Sequence, residues 1–176
     1  MSKSNIALIG FMATGKTTVG KALVEHLGGK YSFIETDQII IERVGKTIPQ
    51  IFAEEGEEKF REYEISACKE ASTQKNVVVS CGGGVVLNKI NIVNLRKNSH
   101  IILLKASIQE IFDRALKDGK ENRPVINKED PKFEIEKVLQ FREPFYDNAA
   151  DFTIETTGKK IDEIVLEVVK KTFLKT

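Results

Sequence analysis

The stretch Ile6-Ala7-Leu8-Ile9-Gly10-Phe11-Met12-Ala13-Thr14-Gly15-Lys16-Thr17-Thr18 leaves this chain few ways to fold. An apolar run ends at a glycine and passes into G-x-x-x-x-G-K-[ST], with Gly10, Gly15, Lys16 and Thr17 at the fixed positions. Glycines let the backbone turn so that its N–H groups face inward, and a helix starting near Gly15 adds the positive end of its dipole. The result is an anion seat. Lys16 can reach β- and γ-phosphate oxygens, and the Thr17 hydroxyl can ligate Mg²⁺. A chance match somewhere in a chain of this length is on the order of one in a hundred. Residues 16–26 read as the following helix, with Val19, Leu23 and Leu27 on one stripe.

A phosphate-binding loop is compatible with many functions, and composition removes some of them. The chain has 176 residues, enough for one domain spanning 1–176 with a sizeable core. Lys and Arg number 27 against 26 Asp and Glu, so there is no basic excess for a general nucleic-acid surface. Cys68 and Cys81 are too few for a disulfide framework and lack metal-ligand spacing. No stretch has the length of a signal peptide's apolar region or a membrane span. A cytoplasmic, soluble monomer, bound to neither nucleic acid nor membrane, is expected.

Strand signals recur at 31–35, 77–81, 101–104 and 152–155, with helical periodicity between them at 37–44, 56–72, 85–97, 107–116, 133–147 and 160–173. A short helix starts at Pro49, and Ser107 with Glu110 has capping-box spacing. Alternation of this kind predicts an α/β, P-loop NTPase three-layer sandwich: a five-stranded parallel sheet flanked by helices, with right-handed crossovers. The polar stretch 117–130, carrying Gly119 and Arg123-Pro124, reads as a mobile lid.

Three features stay double-valued on spacing alone. Asp37 follows the second strand, where open α/β sheets hold ligands, yet it could also cap the next helix. Arg61 has Glu57 four residues back, so it is either a ligand group or half of a surface ion pair. Gly82-Gly83-Gly84 ends the third strand and marks either a close approach to the backbone or a hinge.

Absent features narrow the class. Switch and motor NTPases place an acid at the end of a second apolar strand, but 77–79 runs into Ser80-Cys81 and 101–104 into Lys105. Asn127-Lys128-Glu129-Asp130 imitates a guanine-reading motif, but it follows a loop and no D-x-x-G accompanies it. A phosphate loop, a carboxylate at the next strand end, a glycine-rich third strand end, dispersed arginines and a lid describe a small-molecule kinase.

The ordered set also resembles the shikimate kinase family over nearly the whole chain. It is carried by Gly10 to Gly20, Glu35-Thr36-Asp37, Gly56-Glu57, Phe60-Arg61-Glu62-Tyr63-Glu64, Gly82-Gly83-Gly84, Arg123-Pro124, and Arg142 with Tyr146. The resemblance implies transfer of the ATP γ-phosphoryl group to the 3-hydroxyl of shikimate, in aromatic amino-acid biosynthesis. It implies Lys16, Asp37 and Arg123 as catalytic residues. Contacts to ATP would come from Gly10, Ala13, Thr14, Gly15, Lys16, Thr17, Thr18, Arg114, Arg123 and Lys159, with adenine between Arg114 and residues 156–160. Shikimate would meet Asp37, Arg61, Gly82, Gly83, Gly84 and Arg142, within a binding region centred on 35–63. Thr17 and Glu35 would hold Mg²⁺. Two positions depart from the family's pattern: Glu35 stands where Asp is usual, and Ala13 where Gly is common. A kinase for another small acceptor such as gluconate, and a nucleotide-binding module without transfer activity, are the competing readings.

Overall fold

The computed structural model describes residues 3–117 and 129–173. Five parallel strands form one sheet: β1 Asn5–Ile9, β2 Ser32–Glu35, β3 Val77–Ser80, β4 Ser99–Lys105 and β5 Phe152–Glu155, in the spatial order β2-β3-β1-β4-β5. The connecting helices are α1 Lys16–His26, α2 Thr36–Val44, α3 Ile48–Glu54, α4 Gly56–Thr73, α5 Lys89–Arg96, α6 Ile108–Lys117, α7 Pro131–Ala149 and α8 Ile161–Phe173.

The central strands are apolar on both sides, as parallel strands covered by helices must be. Alternation along β1 sends Ala7 and Ile9 to a face packed with Cys68, Ala71, Leu95 and Tyr146. Ile6 and Leu8 turn to the other face, against Val19 and Leu23 of α1 and Ile164, Val165 and Val168 of α8. Register then aligns the functional ends of the strands. Ser80 of β3 pairs with Leu8 on one side and Glu35 on the other. The loop after β1, the start of α2 and the glycines after β3 therefore emerge side by side.

Several boundaries differ from the sequence reading, each for a local reason. Residues 85–97 do not form one helix. A short 3-10 turn, Val85–Leu87, ends at Asn88, whose extended backbone and side-chain bond from Ile90 N (2.9 Å) start α5 afresh. The helix expected at 133–147 begins at Pro131, capped by Asp130, which accepts from Phe133 N at 3.1 Å, and runs through Pro144 to Ala149. Asp130 thus has a structural task unrelated to guanine. Ser107 accepts from Glu110 N at 3.2 Å, but the Glu110 carboxylate turns to Arg114 and Gly158 N, so the capping box is half made. Among the described residues, no helix is long and apolar enough to cross a membrane. The segment read as a lid lies largely in 118–128, outside the described residues, as does Arg123.

Asn5 is a buried polar residue inside the sheet. Its amide donates to Gln74 O (2.9 Å) and its side-chain oxygen accepts from Val77 N (3.3 Å), tying β1 to the entry of β3. Asn5→Ala should therefore lower unfolding stability by about 2 kcal/mol through two unsatisfied backbone groups. A urea denaturation midpoint unchanged from wild type would show that solvent replaces both bonds.

Candidate active site

The loop after β1 is built on backbone conformations that side chains resist. Gly10 has φ 143° and Gly15 has φ 95°. A Cβ on Gly10 would stand 2.4 Å from the carbonyl oxygen of Leu104. Ala13, the position where glycine is common, also lies in the left-handed region at φ 57°, a conformation that costs an alanine about 1 kcal/mol. Thr14 is buried and its hydroxyl donates to Phe11 O at 2.9 Å, closing the loop on itself. Lys16 Nζ donates to Gly10 O (2.9 Å) and Phe11 O (2.8 Å), which holds the ammonium along the loop. The first turn of α1 carries no acid to oppose an anion at its N-terminus.

Opposite the loop, β2 ends at Glu35 and α2 begins at Thr36. Asp37 is therefore inside the first turn, the cap position belongs to Glu35, and Asp37 Oδ1 is buried with no hydrogen-bond partner. Capping does not account for it. Burial pushes the Asp37 carboxyl above the usual range, Lys16 and Arg61 pull it down, and the Glu35 charge raises it. The Thr36 hydroxyl accepts from Gly82 N at 3.0 Å, fixing the glycine segment against α2.

Each of the three glycines faces one functional side chain. A Cβ on Gly82 would sit 2.7 Å from Asp37 Oδ1, and one on Gly84 would sit 2.6 Å from Arg61 Nη1. The Gly83 carbonyl accepts from Tyr146 Oη (2.6 Å) and Arg142 Nη1 (3.3 Å). Close approach, not hinging, explains this tripeptide. The Arg142 guanidinium also lies over the Phe11 ring at 5.9 Å, and its Nε has no partner.

Arg61 is more than a surface pair with Glu57. It bonds Glu57 Oε1 through Nη2 at 3.0 Å, and its Nη1 reaches both oxygens of buried Glu64 at 3.2 and 3.1 Å. Glu64 also accepts from Asn91 Nδ2 at 3.1 Å. Its carboxyl is raised by burial, while Arg61 and Asn91 lower it. Glu64, Asn91 and Tyr146 were not singled out as site residues by spacing. The i,i+3 relation of Arg61 and Glu64 was a visible signal, but Asn91 and Tyr146 depend on distant segments that only the fold brings together.

A cleft of about 250 Å³ joins the two halves, lined among others by Lys16, Thr17, Glu35, Asp37, Gly82 and Gly83. Thr17 Oγ1 donates to Glu35 Oε1 at 2.6 Å, so two hard oxygen groups meet at the loop. Among the described residues, no cluster of three or more His, Cys, Asp or Glu could hold a metal. The donors that do meet there, a hydroxyl and a carboxylate, are hard oxygen ligands of the kind Mg²⁺ takes together with waters and phosphate oxygens. A neighbouring cleft of about 210 Å³ runs from Ala13, Gly15 and Thr18 to Arg114, Ile161 and Ile164, with the size and position for a nucleoside. Arg114 donates to Ala13 O and Thr156 Oγ1, both at 3.3 Å. Lys159 turns away to Glu167 at 2.7 Å, so the structure does not bring its ammonium to that cleft. Cys68 and Cys81 are free and buried, and burial pushes the Cys81 thiol up to about 12. Burial thus disfavours the thiolate, which is the reactive form.

Comparison with known proteins matches this geometry. The sequence model of a family described as shikimate kinase matches residues 12–173. The chain is 46% identical to the shikimate kinase of Caldanaerobacter subterraneus subsp. tengcongensis, covering 94% of each chain. It is 44% identical to that of Thermoanaerobacter pseudethanolicus over the same share. Among solved structures, shikimate kinase from Acinetobacter baumannii in complex with shikimate superposes with TM-score 0.88 at 32% identity, covering 96% of this chain and 92% of that one.

The Arg61–Glu64 pair generates a pH-dependent prediction. Without Arg61, the buried Glu64 carboxyl rises further above its unfolded value of about 4.3. A group raised in the folded state contributes stability below the unfolded value and loses it as pH rises through the folded one. Arg61→Ala should therefore be destabilised by on the order of 3 kcal/mol at neutral pH, with the deficit shrinking towards pH ~4. Adding Glu64→Gln should remove that pH dependence. Urea midpoints across this range are the check, and a deficit independent of pH would contradict the coupling.

Proposed function

This chain belongs to the shikimate kinase family, and from that premise we propose how its own residues carry out the transfer of the ATP γ-phosphoryl group to the 3-hydroxyl of shikimate. The observation that carries the proposal is the unpartnered, buried Asp37 Oδ1 beside Gly82, flanked by the Arg61 and Arg142 guanidinium groups at Gly84 and Gly83. A base for a hydroxyl and two planar cations for a carboxylate thus surround one glycine surface, next to a phosphate loop.

Phosphoryl transfer asks a protein mainly to position the reactants and to offset developing charge. The phosphate loop amides, the α1 N-terminus and Lys16 bind the β- and γ-phosphates. Thr17 and Glu35 are the residues that would hold Mg²⁺, which when bound offsets charge on the same oxygens. Arg61 and Arg142 fix the shikimate carboxylate through charge-assisted bonds, and Arg142 presents its unpartnered Nε for one of them. Asp37 accepts a hydrogen bond from the acceptor hydroxyl and so aims its oxygen at the γ-phosphorus. As the new O–P bond forms and the bond to the ADP oxygen breaks, the hydroxyl proton passes to Asp37. The raised affinity of its buried carboxyl for a proton favours that transfer. Arg123 supplies a further cation to the phosphates in this reading, and the enzyme works as a cytoplasmic monomer.

The direct test is ADP release coupled to a dehydrogenase readout, with MgATP and shikimate. Turnover on shikimate, and none on gluconate under the same conditions, is expected; the reverse pattern would give the site to another acceptor. Binding of ATP without turnover on either would favour a non-catalytic module. Arg142→Lys should raise KM for shikimate about tenfold or more, from loss of a planar charged bond, and leave KM for ATP nearly unchanged. Asp37→Asn should lower kcat about a hundredfold while the thermal midpoint is retained. Equal changes in both KM values, or full turnover in Asp37→Asn, would refute the assigned roles.

A further inference from the structure

A further cavity is lined by α5 and α7, the second of which carries Arg142. It is a groove of about 420 Å³ between α5 and α7, walled by Val86, Ile92, Val93 and Phe145. This volume suits a small organic molecule and is too small for a docked helix. Val93 is 59% exposed and Phe145 38% exposed, so the apolar walls are open to solvent.

Charge at the rim selects the ligand. Lys89 and Arg96 border the groove, and no carboxylate lines it. Lys89 is exposed and makes no ion pair among the described residues. Arg96 gives its Nη2 to the carbonyls of Asn148 (2.7 Å) and Ala149 (3.1 Å) at the end of α7, which holds the guanidinium in place, and its charge is felt by the Asp151 carboxylate, which Lys3 pairs directly. Two cations without a direct ion pair, over an apolar trough, fit a carboxylate carried on an apolar ring. A polyanion would lack further cations, and a neutral hydrocarbon would desolvate the two present without compensation.

We propose that the α5–α7 groove binds a small aromatic carboxylate, and that its occupancy strengthens binding of shikimate. The second half rests on the site reading given above. The route is short and contiguous. Asn91 lies between Lys89 and Ile92 on α5, and its buried amide donates to Glu64 Oε2 and Val85 O, both at 3.1 Å. Glu64 in turn holds Arg61. Phe145 on α7 precedes Tyr146, whose hydroxyl donates to Gly83 O. A ligand touching both helices adds contacts to the arrangement in which Arg61 and the glycine segment are already placed. The coupling proposed is that this arrangement is also the one that binds shikimate, so that a ligand which holds it favours shikimate binding and shikimate favours the ligand by the same factor.

The test uses the full chain and 3-phenylpropionate, followed by methyl NMR shifts of Val86, Ile92 and Val93 without turnover. Saturable shifts with a Kd of about 1 mM or tighter are expected, with little response to neutral 3-phenyl-1-propanol. Lys89→Glu, at an exposed position without an ion pair, should weaken binding at least fivefold and leave basal kcat unchanged. Lys170→Glu, on α8 across the sheet, should not weaken it. No saturation, equal response to the alcohol, or equal loss in both variants would overturn the site. Saturating shikimate should tighten the 3-phenylpropionate Kd at least twofold, and an unchanged Kd would overturn the coupling. A chain that bound 3-phenylpropionate but did not phosphorylate shikimate would refute the reading of the active site and leave the groove assignment intact.

Discussion

Two missing Cβ atoms hold this site together. With Gly82 and Gly84 in place, Asp37 and Arg61 can lie against the backbone after β3; any larger residue would put a carbon 2.7 Å or 2.6 Å from their polar atoms. The rest of the structure serves that contact. The register that pairs Ser80 with both Leu8 and Glu35 sets the phosphate loop, Asp37 and the glycine segment in one row. Thr36 and Tyr146 then pin the segment from two sides, through its Gly82 N–H and its Gly83 carbonyl. Precision comes from the sheet and from short bonds to backbone, which is the firmest way to hold a loop.

Charge balance follows from the same packing. Burying Asp37 and Glu64 near one another would favour protonation of both, and each is raised by burial. Arg61 opposes this for the two carboxyls together, and Lys16 does so for Asp37. Arg61 therefore has a second task besides presenting its planar donors to a ligand: it offsets part of what burial costs the ionised Glu64 carboxylate. Its contact with Glu57 at the helix surface is the weaker part of that arrangement, since an exposed pair contributes about 0.5 kcal/mol or less.

Much of this was legible in the chain because the informative signals are local. The phosphate loop needs Gly, Lys and Thr at fixed spacing, and the alternation of strand and helix patterns gives the parallel sheet directly. Distinguishing base from cap at Asp37, or ligand group from surface pair at Arg61, required knowing what faces them, and those partners are distant in sequence. Asn91 is such a case: nothing near it announces that its amide reaches Glu64 across two helices. Asn88 misled for the opposite reason. Apolar periodicity runs past it, but its own side chain supplies the cap that ends one helical piece and starts the next. At Lys159 too the partner was not legible: its ammonium pairs with Glu167, eight residues further on.

The two departures from the family's pattern act in opposite directions on the loop. Ala13 at φ 57° adds strain where glycine would add none, so the loop keeps its shape only because Thr14, Lys16 and Arg114 tie it from within and from α6. Glu35 adds order. Its extra methylene lets the carboxylate touch the Thr17 hydroxyl directly, and that 2.6 Å bond fixes the additional rotor the longer side chain brings. The Thr17 hydroxyl and the Glu35 carboxylate thus hold each other in place where the loop passes into α1 and β2 ends. A loop tied by these hydrogen bonds and by an acid–hydroxyl pair has few rotors left to order around an anion. That is the condition under which the fixed charges of a site contribute most to transfer.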